Sequence, residues 1–126
     1  MKILIILLSL ISFHSLASSK RTDLFDCAYL GDSPLERVII SEMILGKRTY
    51  HQLEMISIID GYEEIKSRKV NFKSRHNDKI LEFTTGSLRI KIDLFQNISF
   101  GRIPDFNIHS YDWHCKEIQS PNILLK

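Results

Sequence analysis

The sequence predicts an all-β protein, a small antiparallel β-sandwich or barrel of about seven to eight strands that follows a removable export signal. Three observations lead there. Leu88, Ile90, Ile92 and Leu94 alternate with Arg89, Lys91 and Asp93, and a period of two marks a half-buried strand. Asp60-Gly61 and Gly86-Ser87, both turn-forming pairs, separate runs rich in β-branched and aromatic residues. The two cysteines, Cys27 and Cys115, lie near the two ends of what remains once the signal is removed. In an oxidising compartment such a pair is expected to form a disulfide.

The signal is read from the order of chemical character at the start of the chain. Lys2 provides a positive start, and Ile3 to Leu16 form an apolar run broken by Ser9, Ser12, His14 and Ser15. Ser15-Leu16-Ala17 then offers the small-x-small pattern of a cleavage site, so residues 1–17 are expected to leave and 18–126 to form a single compact exported β domain. The run falls short of the ~20 predominantly apolar residues that span a bilayer, so no stable membrane insertion is expected after cleavage. Leu24-Phe25-Asp26 before Cys27 is not a lipobox, which argues against a lipid anchor. Removing 17 of 126 residues leaves 109, enough for one core and too few for two. Without Lys2, 16 basic residues face 15 acidic ones, a balance that argues against nucleic acid as a partner. The expected location is periplasmic or extracellular.

The strands follow in order. Phe25, Cys27 and Tyr29 share one face of the first. Residues 34–45 carry two signals. Ser33-Pro34-Leu35-Glu36 has the form of a helix start and Gly46 of a stop, whereas Val38, Ile39, Ile40 and Ile44 favour a strand. A strand is expected, with a single helix packed on the sheet as the alternative. His51 to Ile59 and Lys69 to Ser74 read as strands around the Asp60-Gly61 turn. Ile80 to Thr85 should pair antiparallel with Ser87 to Phe95 through a type II′ turn at Gly86-Ser87. Ile98 to Ile103 forms another strand, which Pro104 ends because proline has no amide to donate.

In the last segment, alternation puts His109, Tyr111, Trp113 and Cys115 on one face and Ser110, Asp112, His114 and Lys116 on the other. Both cysteines thus fall on aromatic, core-side faces, so the first and last strands should be neighbours or face each other across the core. Closing a loop of 88 residue steps restricts the unfolded chain by about 4.5 kcal/mol in the loop-entropy account.

Chemical motifs are sparse. His51, His76, His109 and His114 form no ligand pair of recognisable spacing, so no metal and no cofactor is expected. Gly31-Asp32-Ser33 resembles the block around the nucleophilic serine of the GDSL-type hydrolases, and the resemblance implies Ser33 as nucleophile with His114 as base. Those enzymes carry a late Asp-x-x-His block, whereas this chain has Asp112-Trp113-His114, one residue shorter. The reading preferred for Asp32-Ser33-Pro34 is a turn or cap. Lys66, Arg68, Lys69, Lys73 and Arg75, with Lys79 just beyond, form a basic cluster that suits an anionic glycan, lipid headgroup or acidic protein. On a strand, alternation divides it, and lysines on exposed strands also discourage edge pairing. Asn97-Ile98-Ser99 has the form of a glycosylation sequon, which matters only in a eukaryotic secretory pathway. The expected function is a non-catalytic binding or inhibitor module for a protein, glycan or envelope component, with no catalytic residue; the alternative is a small serine hydrolase using Ser33 and His114.

Overall fold

The computed structural model describes residues 19–118, and the expected signal peptide at 1–17 lies outside the described residues. Nine strands follow one another: β1 (Ser19–Tyr29), β2 (Leu35–Leu45), β3 (Arg48–Ile59), β4 (Tyr62–Arg75), β5 (Ile80–Thr85), β6 (Leu88–Asp93), β7 (Ile98–Ile103), β8 (Ile108–Ser110) and β9 (Trp113–Glu117). A short 3-10 helix, Pro104–Phe106, links β7 to β8. The strand order is β8-β7-β6-β5-β4-β3-β2-β1-β9, antiparallel throughout, and the two ends approach each other in a nearly closed barrel.

Turn chemistry sets the hairpins. Asp60 and Gly61 both take positive φ, 52° and 80°, as a two-residue type I′ turn requires. At Gly86-Ser87 only the glycine is left-handed, which fits type II′, and Thr85 pairs with Leu88 across it. Residues 35–45 form a strand, not a helix. Ser33 Oγ accepts the amide of Leu35 at 3.2 Å and so caps a turn that leads into β2. The strand lies between β1 and β3 and is buried on both faces from Val38 to Glu42, which is why its sequence shows no clean alternation.

Two seams convert the sheet into a barrel. β4 pairs with β3 through Tyr62–Val70 and with β5 through Asn71–Arg75, so one continuous strand passes from one half of the barrel to the other. The second seam is the final segment: β8 pairs with β7, the chain bends at Tyr111 and Asp112, and β9 pairs with β1. The bend separates one predicted terminal strand into two, which accounts for nine strands against the seven to eight expected.

The bend also corrects the predicted faces. Trp113 is buried, yet inward-facing Ile108 lies an odd number of residues before it, so alternation has been reset. His109 and Tyr111 consequently point outward and do not share the core side with Trp113 and Cys115. Inside, Phe25, Phe83, Leu53, Met55, Leu81, Ile90 and Ile103 are essentially inaccessible to solvent. Phe83 stacks on Phe72 with ring centroids 5.0 Å apart and meets the edge of Phe25 at 6.3 Å.

Candidate functional site

Cys27 and Cys115 are joined by a disulfide, and they stand directly opposite each other in the β1–β9 pairing. The bridge therefore fastens the first described strand to the last. Beside it, Tyr29 and Trp113 pack at 4.9 Å, and the Trp113 indole covers Gly101 of β7 so closely that a side chain there would collide with it.

The basic cluster does not form one surface. All five residues lie on β4, and alternation places Lys66 and Arg68 on one side and Lys69, Lys73 and Arg75 on the other. Most are also engaged. Arg68 pairs with Asp105 at 2.8 Å, Arg75 with Glu82, Lys66 with Glu64 at 4.0 Å, and the Lys69 ammonium lies 5.3 Å from the Tyr50 ring centre. Lys73 faces Glu82 across the β4–β5 ladder.

Ser33 and Asp112 come to the same end of the barrel, since the Leu30 amide donates to the Asp112 carbonyl at 2.8 Å. Ser33 is engaged with its own turn, the Asp112 backbone amide donates a hydrogen bond to Ser110 Oγ, and His114 is exposed on β9 opposite Ala28. Among the described residues no hydrogen bond connects Ser33 with His114. Nor do three or more His, Cys, Asp or Glu side chains gather as a metal site among the described residues. No helix there is long and apolar enough to cross a membrane.

A different surface stands out: the outer face of β6, β7 and β8. Outward positions on an antiparallel sheet are normally polar. Here Ile98 and Phe100 point outward from β7, and the Phe100 ring packs against His109 at 5.1 Å and Tyr111 at 5.0 Å. Tyr111 remains 68 % exposed, so the cluster is not a covered satellite core. Lys91, directly opposite Phe100, joins Asp93, Gln96, Ile98, Phe100 and Tyr111 around an open cleft of about 600 Å³. The depression between Ser19 and Tyr50 is smaller, about 280 Å³. Asp93 Oδ1 accepts the amides of Phe95 and Gln96 at 2.9 and 3.1 Å, which fixes the turn that forms one wall of the cleft.

The electrostatics of this face are unbalanced. Arg89 and Arg102 stand directly opposite each other, an arrangement that costs stability in a sheet. Arg89 is compensated by Glu82 at 3.1 Å, whereas Arg102 has His109 as its other cross-strand neighbour and no ion pair among the described residues. An open aromatic platform beside an uncompensated guanidinium is suited to a ligand with both a ring face and negative charge. Sequence alternation over the terminal segment concealed this surface, because the bend at Tyr111-Asp112 turns two of its rings outward.

No protein-family model, no curated protein and no solved structure matches this chain. The reading of its function therefore rests on its own residues.

Proposed function

We propose that the chain is exported and acts as a non-catalytic binding module of the periplasm or extracellular space, taking an anionic glycan on the outer face of β6, β7 and β8. The observation that carries this is the Phe100–Tyr111–His109 cluster, open to solvent beside Arg102 and Lys91. Sugar rings lie against aromatic faces through their apolar C–H groups, while carboxylate or sulfate substituents recruit guanidinium and ammonium groups. The disulfide supports the export reading, since such bridges persist in oxidising compartments.

Calorimetric titration with a heparin oligosaccharide, set against a neutral dextran oligosaccharide of similar length, tests the reading. Heparin should bind, the affinity should fall as salt rises, and dextran should bind far more weakly. Phe100→Ala, Tyr111→Ala and Arg102→Ala should each weaken binding about tenfold, the loss of one stacked ring or one charge-assisted contact. The melting temperatures of Tyr111→Ala and Arg102→Ala should stay close to that of the parent chain, because exposed substitutions shift stability by about 0.5 kcal/mol at most. Equal binding by parent and variants would remove this surface from the function. The hydrolase alternative is separated by Ser33→Ala: ester hydrolysis by the parent chain that the variant loses would favour it.

A further inference from the structure

We propose that two copies of this chain associate through the free edges of β4, antiparallel and with a two-fold axis at Ile65. β4 pairs with β5 only from Asn71 onward; through Tyr62–Val70 it pairs with β3 and, among the described residues, with no strand on its other side. The β5–β6 turn ends beside Arg68, where Gly86 and Ser87 share a depression with it, so the open stretch is Tyr62 to Ser67. Such an edge presents unpaired amides and carbonyls to any extended chain.

The pattern of side chains along this edge selects its own copy. Residues directly opposite in an antiparallel pair lie on the same face of the sheet, so a two-fold pairing sets residue i against a residue of the same parity. Centred on Ile65, the pairing sets Ile65 against Ile65, Glu64 against Lys66 and Glu63 against Ser67, each contact made twice except the first. Tyr62 is 79 % exposed and Ile65 52 %, so both have apolar surface to bury. The neighbouring registers are opposed by charge. A shift one way sets Glu64 against its own copy, and a shift the other way does the same for Lys66, and like charges directly opposite are destabilising. The lysine that would guard a bare edge thus becomes a specificity element, admitting one register. The contact is a short strand pairing that leaves the Phe100 cleft on the opposite side of β5 free for a ligand.

Sedimentation velocity on the purified, disulfide-bonded chain tests this directly. The expected result is a concentration-dependent monomer–dimer equilibrium between about 1 μM and 1 mM, the range of weak interfaces. Glu64→Lys and Lys66→Glu alone should each weaken the dimer about tenfold or more, because each places like charges opposite at two symmetric positions. The double variant Glu64→Lys/Lys66→Glu restores the opposite-charge pairs and should recover the dimer. Ile65→Lys should abolish it without changing the melting temperature of the monomer. A chain that stays monomeric at about 1 mM overturns the proposal. So does a dimer that ignores the single charge reversals, or one that the double reversal fails to rescue.

Discussion

The two seams of this barrel solve the same problem by different means. At one, β4 passes from β3 to β5 as an unbroken strand, and its crossing point at Val70 and Asn71 is held by backbone ladders on both sides in turn. At the other, the ladder is interrupted at Tyr111 and Asp112, and the chain returns to β1 only with Trp113. The broken seam is the one that carries a covalent bridge and an indole seated over a glycine. The continuous seam has neither, and instead buries an ionisable pair, Glu42 and His51, beside the last β3–β4 pair. Where hydrogen bonding lapses, covalent and steric fastening replace it; where it is continuous, the interior tolerates polar groups. The broken seam should therefore answer to redox state and the continuous one to pH.

Opening the disulfide is the largest test of that division. Cys27→Ala/Cys115→Ala, or reduction of the parent chain, should cost about 4.5 kcal/mol for a crosslink spanning 88 positions. In a domain of this size that lowers the melting temperature by about 20 °C or more. Thermal melts with and without reductant measure it, and an unchanged midpoint with both thiols titrating free would show that the broken seam holds without its bridge.

Gly101→Ala should cost less, about 1–3 kcal/mol, by forcing the Trp113 indole out of its seat. Glycine is required here for space and not for backbone freedom, since its φ is not in the left-handed region. Near-ultraviolet circular dichroism should show the indole signal weaken in this variant. A retained signal together with an unchanged midpoint would mean that the indole does not fasten the seam.

The same contrast explains what the sequence could reveal. β5, β6 and β7 were legible because each buries one face, which imprints a period of two, and because Gly86 and Pro104 mark their ends. β2 was ambiguous since a strand covered on both faces loses that period, and Ser33-Pro34 serves a turn as readily as a helix cap. The disulfide was legible because Phe25, Cys27 and Tyr29 and then Trp113 and Cys115 keep alternation on their own strands. The aromatic face was not, because a two-residue bend reverses which side His109 and Tyr111 occupy, and only the β7 pairing shows where they go. Gly101, facing inward between outward Phe100 and Arg102, was the available hint that β7 carries its rings on the solvent side.

The smallest effect is expected at the continuous seam, and its sign separates the seams cleanly. Glu42 is only 3 % exposed, and its Oε2 lies 3.7 Å from His51 Nε2, too far for a hydrogen bond. Burial raises the Glu42 carboxyl above its ordinary value of 4.5, against the opposing field of Lys20, and burial lowers His51 below 6.5. For Glu42 the folded chain keeps a proton that the unfolded chain releases, so its contribution is lost as pH rises from about 4.5 toward the raised value. For His51 the unfolded chain takes up a proton that the folded chain refuses, so stability is lost as pH falls below 6.5 toward the lowered value. Over about pH 4.5 to 6.5 the two contributions therefore slope in opposite directions and offset each other in the parent chain. Glu42→Gln should remove the falling contribution and leave stability that rises with pH, while His51→Phe, which keeps the ring against Phe72 and Phe83, should remove the rising contribution and leave stability that falls with pH. Urea unfolding of parent and variants from about pH 4 to 8 resolves the two opposing slopes. Curves that run parallel across that range would show that the pair does not govern the seam. The disulfide variant, in contrast, should lie below the parent by a constant amount at every pH, because a covalent link carries no proton.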